Sequence, residues 1–246
     1  EKAQKYNYES IAITDSANLF GFLKFYKSVR SKGIKPIAGA EINHVRDSSS
    51  HNEYANLTLI AKNQLGYKNL IKLISKSQIV GKTSGIPVIE TEWLAEHSDG
   101  LIALSGGFRG HIGKAVLDTN HDLFLKRIKY FQKIFKEDFI LEISRINRPQ
   151  EDIYNDYILS KAGELGLPVV ASNEVRFIDK EDYEAHETRV CIQKGEVLSD
   201  ARRTRSYFED QYFLSPEEMY EKFKDIPEVL SNAYELGKKC NLEIET

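Results

Sequence analysis

Acidic residues follow two of the apolar segments that the sequence predicts as buried strands. Segment 10–14 alternates short and β-branched residues and leads into Asp15, and segment 34–40 leads into Glu41. Between them, aromatic and apolar residues at spacings of three and four predict a helix capped by Asn18. Loops at the carboxyl ends of parallel strands converge around one mouth. The sequence therefore predicts that Asp15 and Glu41 belong to the part of the fold that carries chemistry.

Histidines and cysteines do not extend this acidic pair into an evident metal site. Imidazole and carboxylate ligands can hold adjacent divalent ions that activate water for phosphoester hydrolysis. No two histidines have metal-ligand spacing, although the chain has six: His44, His51, His97, His111, His121 and His186. Cys191 and Cys240 are too few and too distant for a zinc knuckle or a disulfide framework, so we expect reduced thiols.

Three arginines form the densest basic cluster of the chain. Arg202, Arg203 and Arg205 lie in a polar segment, where such a cluster is most often a solvated surface. The alternative is a contact with DNA phosphate. A formal net charge of −3 argues against DNA binding by bulk electrostatics, so any such contact would be local.

Strand and helix patterns alternate along the chain. Further strands are predicted at 57–61, 101–104, 139–143 and 169–172, with Glu142 near the end of the third of these. Helices are predicted at 121–136, after Pro149, over 180–193, after Ser215-Pro216 and at 227–239. This alternation implies a mostly parallel sheet, open or closed.

The 246 residues suffice for one large α/β domain or two small ones. No apolar run approaches the roughly 20 residues of a membrane span, which predicts a soluble cytoplasmic protein.

Several stretches together carry a family resemblance. They read ITD with NLFG and GIKPIAGAE (residues 13–41), NLTLIAKNQLGYKNLIKLIS (56–75), GLIALSGG (100–107), LPVVASNEVRFI (167–178), AHETRVCIQKG (185–195) and YFLSPEEMYEKFKDIPEVLSNAYELGKKCNL (212–242). In this order and spacing the sequence resembles the N-terminal PHP (polymerase and histidinol phosphatase) domain of bacterial DNA polymerase III alpha subunits.

The resemblance implies a distorted seven-stranded (β/α) barrel of PHP type, with C-terminal helices packed on it. In that family a strand with a His-x-His motif precedes the point where this sequence starts, so we expect the first strand to be missing. We predict an N-terminally truncated barrel domain over residues 1–200. Residues 201–246 are predicted to form a helical extension that leads toward the polymerase palm.

The resemblance also implies what the acidic residues do. Intact PHP sites bind two or three metal ions through His, Asp and Glu. Here Ser16, Ile146 and Arg176 stand at positions that match histidines of the family, and Asn56 stands where a histidine is often found. Arg176 would supply by salt bridge the positive charge that a metal would supply. The expectation is a vestigial cleft without catalytic residues or resident metal, formed by Asp15, Ser16, Glu41, Glu142, Glu174 and Arg176. The alternative is a weak magnesium site.

The implied function is that of a scaffold inside a replicative DNA-directed DNA polymerase. The resemblance places the catalytic palm, its magnesium and its DNA outside this sequence. It implies the rest of the polymerase chain and the proofreading exonuclease subunit as partners, with no membrane. The competing class is a metal-dependent hydrolase acting at the cleft: a phosphoesterase, a 3′–5′ exonuclease or a pyrophosphatase. We expect the incomplete ligand set to discriminate against it.

Overall fold

A computed structural model describes residues 1–45, 54–83, 85–200 and 202–244. The helices are α1 Lys2–Lys5, α2 Phe22–Arg30, α3 Gln64–Ile79, α4 Thr91–Glu96, α5 His111–Leu117, α6 His121–Phe135, α7 Glu151–Leu165, α8 Tyr183–Lys194, α9 Pro216–Phe223 and α10 Glu228–Lys239. The strands are β1 Ser10–Ile13, β2 Lys35–Val45, β3 Tyr54–Ala61, β4 Lys82–Thr83, β5 Ile86–Pro87, β6 Ile89–Glu90, β7 Leu101–Leu104, β8 Phe139–Ser144 and β9 Val169–Ser172. Within these ranges, no helix is long and apolar enough to cross a membrane.

Seven strands form one sheet in the order β1-β2-β3-β7-β8-β9, with β6 paired to β2. Neighbours pair in parallel except at β2–β3 and β3–β7, so the prediction of a mostly parallel sheet is confirmed. Residues from all six strands of the main path line one cavity, and the sheet therefore curls into a half-barrel. This agrees with the distorted seven-stranded barrel that the resemblance implies.

Side-chain alternation along the strands separates an inner and an outer face. Outward residues such as Leu59, Leu141 and Ile143 join a core with α2, α3, α6 and α7, whose buried side chains include Tyr26 and Phe131. Inward apolar residues form a second cluster, most of them near the amino ends of the parallel strands: Ile37, Ile60, Ile102, Leu104, Ile140 and Val170. At the carboxyl ends the inward residues become polar. The half-barrel thus has an apolar end and a polar end.

Helix α10 covers the apolar end. Its Leu236 and the following Cys240 join the inner apolar cluster. The ammonium group of Lys35 donates hydrogen bonds to the backbone oxygens of Gly237 (3.0 Å) and Cys240 (3.1 Å), which lie at the C-terminus of the helix. The C-terminal helix thus packs on the sheet, as the family resemblance implies.

Two local predictions need correction. Asn18 does not cap α2: its side chain accepts a hydrogen bond from Phe20 N in a tight turn, and the helix starts at Phe22 after Gly21. Strand β2 continues to Val45 because residues 39–45 pair antiparallel with β3, although polar side chains there suggested that the strand ends at residue 40. The helix start at Ser215 is confirmed, with a complete capping box between Ser215 and Glu218.

Candidate functional site

The polar end of the half-barrel opens into a cavity of about 530 Å³. All six residues predicted for the cleft line it: Asp15, Ser16, Glu41, Glu142, Glu174 and Arg176. They lie at or just beyond the ends of β1, β8 and β9 and in the middle of the long strand β2, and the curl of the sheet brings these positions to a single mouth. We call this cavity the cleft.

Glu41 is held by two arginines and an amide. Its Oε2 accepts a hydrogen bond from Arg176 Nη2 at 3.0 Å, and its Oε1 accepts from Arg109 Nη2 at 3.0 Å and from Asn56 Nδ2 at 2.5 Å. The Glu41 side chain is only 15% exposed. A partly buried carboxylate with three donors has its acceptor positions largely filled. Little remains for a metal ion to coordinate.

Glu174 lies at the centre of a second set of donors. Its Oε2 accepts from Arg148 Nη2 at 2.8 Å and from Arg109 Nη2 at 3.1 Å, and its Oε1 accepts from Ser144 Oγ at 3.3 Å. Burial alone would raise the pKa of Glu174, but the Arg148 hydrogen bond and the charges of Arg148, Arg109 and Arg176 lower it below its ordinary value. This carboxylate is therefore ionised at neutral pH.

The backbone that presents Glu174 is held in an uncommon conformation. Glu174 has φ = 45°, in the left-handed region that L-residues rarely adopt. Asn173 Nδ2 donates to the backbone oxygens of Asp210 (2.9 Å) and Tyr212 (2.7 Å), while Gln211 Nε2 donates to Glu174 O at 3.0 Å. The segment around the buried Gln211 thus fixes the turn after β9 from outside.

Glu142 is the buried carboxyl of the cleft. Burial, with the nearby negative charges of Glu174 and Glu41 adding to it, raises the pKa of Glu142 to about 7. Its backbone is fixed on both sides, since Glu142 N donates to Ser105 Oγ (3.0 Å) and Tyr154 OH donates to Glu142 O (2.8 Å). Near neutral pH this side chain exists in both protonation states.

Asp15 and Ser16 differ from the other four because they are exposed at the rim. Their backbone continues the β1–β2 pairing, with Glu41 N donating to Asp15 O at 3.2 Å and Ala17 N donating to Glu41 O at 2.8 Å. Among the residues that the structure describes, the Asp15 carboxylate forms no ion pair or hydrogen bond. Asp15 is thus the carboxylate of the cleft that stays accessible.

The metal centre of intact PHP domains does not fit these residues. Guanidinium groups rather than imidazoles face Glu41 and Glu174, and guanidinium has no lone pair to give a metal. Ile146, at a position that matches a histidine of the family, is fully buried. Over the described part of the chain, no group of three or more His, Cys, Asp and Glu side chains is arranged to hold a metal ion.

The three arginines predicted as one basic cluster separate in the structure. Arg202 is exposed and pairs with Asp200 at 2.9 Å. Arg203 is not the solvated residue that its polar surroundings suggested: its Nη1 lies 2.6 Å from Glu187 Oε2, and both side chains are buried. Because Glu187 on α8 takes up its guanidinium, Arg203 is not available to phosphate. Arg205 lies in a separate pocket beside Tyr183 and Tyr207.

Sequence reasoning missed Arg109 and Arg148, which make three of the four ion pairs that hold Glu41 and Glu174. Arg109 ends a short helical turn after β7, and Arg148 follows β8. Both therefore lie just beyond the carboxyl end of a strand that the sequence predicts. A search for basic residues just after the predicted strands would therefore have identified both arginines as candidate site residues.

A comparison with protein families agrees with this geometry. The model of the PHP domain matches residues 1–146, more than half of the chain. The chain belongs to the PHP domain family. The match includes Asp15, Glu41 and Glu142, whereas Glu174 and Arg176 lie beyond it.

This PHP domain is similar to a region of much longer proteins. It is 44% identical to DNA polymerase III subunit alpha of Vibrio cholerae over 235 residues, which cover 96% of this chain and 20% of the relative. It is 43% identical to DNA polymerase III subunit alpha of Escherichia coli K12 over 244 residues, covering 99% of this chain and 21% of the relative. The chain thus spans about a fifth of the length of these curated relatives. A solved structure from Bifidobacterium adolescentis, described as a metal-dependent phosphoesterase, matches 70% of this chain and 79% of that chain at 12% identity and a TM-score of 0.48.

Proposed function

We propose that this PHP domain is a non-catalytic scaffold within a replicative DNA polymerase of the DNA polymerase III alpha type. The observation that carries the proposal is the set of arginine pairs on Glu41 and Glu174. These pairs stabilise the carboxylates without a metal and leave the cleft without a ligand set for hydrolysis. The 43–44% identity to the alpha subunits supports the assignment to that polymerase.

The polymerase reaction, its magnesium and its DNA belong in this proposal to the rest of a longer chain. The role of the domain is to stabilise that chain and to dock the proofreading exonuclease subunit in the cytoplasm. The division into a barrel over residues 1–200 and an extension over 201–246 that leads toward the palm stays part of the proposal. No resident cofactor is proposed for the cleft.

Exonuclease docking requires exposed apolar side chains with polar surroundings, because a flexible tail pays an ordering cost when it binds. Tyr220 on α9 and Tyr234 on α10 are 54% and 48% exposed, and charged residues surround them in sequence. We place the docking surface on these two helices.

The test is a titration of the 246-residue chain with the exonuclease subunit of the same organism and with its isolated C-terminal tail. We expect a Kd of about 1 µM or tighter, roughly −8 kcal/mol. Tyr220→Ala should weaken binding about tenfold or more. Phe20→Ala is the matched control, since Phe20 is a 92% exposed aromatic residue at another surface and its loss should leave the Kd unchanged. Absence of binding at tens of micromolar, with a folded domain, would refute the docking role.

The competing function is a metal-dependent phosphoesterase, exonuclease or pyrophosphatase. The observation in its favour is the pair of Asp15, accessible at the rim, and Glu142, whose pKa of about 7 suits a general acid or base. The discriminating assay follows hydrolysis of a phosphodiester, a single-stranded oligonucleotide and pyrophosphate with Mg²⁺ or Mn²⁺. A metal-dependent rate that Asp15→Asn abolishes would establish the hydrolase and refute the scaffold proposal.

A further inference from the structure

A second concavity, of about 420 Å³, shares no lining residue with the cleft. Its wall is the segment 205–210, and the opposite side includes Tyr183 at the start of α8 and Lys180 in the short helical turn just before it. The segment 205–210 separates the two cavities, because its other side contacts arginines of the cleft. The Tyr207 ring centre lies 5.9 Å from the Arg176 guanidinium, and the Phe208 ring centre lies 5.6 Å from that of Arg148. We call this concavity the aromatic pocket.

Two basic side chains of the aromatic pocket are not neutralised by a carboxylate of the described residues. Lys180 and Arg205 are both exposed, and within the described ranges neither forms an ion pair with a carboxylate. Arg202 and Arg203, which are close to Arg205 in sequence, differ because Asp200 and Glu187 neutralise them. A cation that is not neutralised by the protein is available to an anionic group of a ligand.

The other lining residues define what the rest of such a ligand would be. Tyr183, Tyr207 and Phe208 are half-buried and line the pocket. Of the two acids, Asp210 is neutralised by Lys222 at 3.0 Å, whereas Glu209 is exposed. The pocket therefore combines positive charge for an anion, aromatic surface for a flat ring and one carboxylate for hydrogen-bond donors.

We propose that the aromatic pocket binds a nucleoside phosphate. The phosphate contacts Lys180 and Arg205, the base packs on the rings of Tyr183, Tyr207 and Phe208, and Glu209 accepts from a hydroxyl or amino group. This combination of groups occurs in a free nucleotide and at each position of a single-stranded nucleic acid. The shared chemistry is a base linked through a sugar to a phosphate.

Binding of three probes to the 246-residue chain tests the proposal: deoxyadenosine monophosphate, a short oligothymidylate and inorganic phosphate. We expect at least one of the nucleoside phosphates to bind more tightly than inorganic phosphate. Arg205→Ala and Lys180→Ala should each weaken that binding about tenfold, the loss typical of one charged hydrogen bond. Arg202→Ala is the matched control, because this arginine is three residues before Arg205 but does not line the pocket, and its removal should leave the Kd unchanged.

The probes also distinguish the source of the ligand. Tighter binding of the monophosphate identifies a free nucleotide, and tighter binding of the oligothymidylate, weakened by salt, identifies a nucleic acid strand. Equal affinities for inorganic phosphate and both nucleoside phosphates would overturn the proposal, since the rings would contribute nothing. No binding of any probe at millimolar concentration, or equal losses in Arg202→Ala and Arg205→Ala, would overturn it as well.

Discussion

Glu41 on β2 and Glu174 in the turn after β9 are 133 residues apart in sequence and share one guanidinium nitrogen: Arg109 Nη2 is 3.0 Å from Glu41 Oε1 and 3.1 Å from Glu174 Oε2. Arg176 and Arg148 bind the remaining sides of the two carboxylates. An ionised carboxylate that is partly removed from water needs such partners. The cleft is consequently a connected network of charges, and its members should respond to mutation together.

Substitution of the most buried arginine of the network should lower the free energy of unfolding most. Arg148 is 8% exposed and Glu174 is 13% exposed, so Arg148→Ala should lower the free energy of unfolding by about 2–4 kcal/mol. Arg176 is 24% exposed, and its partner Glu41 keeps Arg109 and Asn56. Arg176→Ala should therefore cost only about 1–2 kcal/mol, less than the roughly 3–5 kcal/mol expected for a fully buried pair. Urea unfolding measures both. Equal losses in the two variants would contradict this ranking, and Lys161→Ala, which breaks a surface pair, is the control.

Loss of Arg109 and Arg176 together should exceed the sum of the single losses. Either arginine alone still compensates the charge of Glu41, whereas the double variant leaves only the Asn56 amide. We expect a coupling energy of about 1 kcal/mol in a double-mutant cycle monitored by urea unfolding. Strict additivity would show that the two arginines act independently.

Treatment with a metal chelator should leave the thermal stability of the domain unchanged. Because guanidinium groups rather than a metal stabilise Glu41 and Glu174, a chelator should not shift the melting temperature. Elemental analysis of the purified chain should find no stoichiometric zinc, manganese or iron. Two or more transition-metal ions per chain near Asp15 and Glu41, or a fall of many degrees with the chelator, would refute the metal-free account.

Stability should fall as pH rises toward neutrality because of Glu142. Its pKa is raised to about 7 in the folded protein and lies near 4.3 in the unfolded chain, so the folded state binds more protons between these values. This group alone should cost on the order of 2–3 kcal/mol across that window. Glu142→Gln removes the titration, and it should be more stable than the wild type above pH 7 with a flatter pH profile.

Urea unfolding between pH 5 and pH 8 checks this slope. Glu96→Gln is the matched control, because Glu96 is an exposed glutamate on α4 and its substitution should leave the profile of the wild type. Parallel profiles for the wild type and Glu142→Gln would mean that Glu142 titrates normally.

The sequence predicted the parts of this structure that depend on local patterns. Strand ends placed Asp15, Glu41 and Glu142, and the Ser215 signal placed the start of α9, because periodicity and capping are short-range properties. The family resemblance then added Glu174 and Arg176. The arginine partners of the carboxylates could not be paired in this way. Arg109 meets Glu41 and Glu174 from 68 and 65 residues away, and nothing in the spacing of these residues records that contact.

Longer-range pairing also explains the other errors. The polar end of β2 forms a strand because β3 returns antiparallel beside it, which alternation alone does not predict. The polar segment around Arg203 predicts a solvated side chain, yet Arg203 forms a buried ion pair with Glu187 on α8. In each case a partner far along the chain decided the local outcome.

Helix α10 affects the order in which this fold can be completed during synthesis. The inner apolar cluster of the half-barrel includes Leu236 and Cys240, and Lys35 at the start of β2 binds the backbone oxygens at the end of that helix. A ribosome that has made β1 to β9 has therefore not yet supplied the residues that cover one end of the sheet. During synthesis the inner apolar surface therefore lacks this cover until about 70 residues after β9 have emerged.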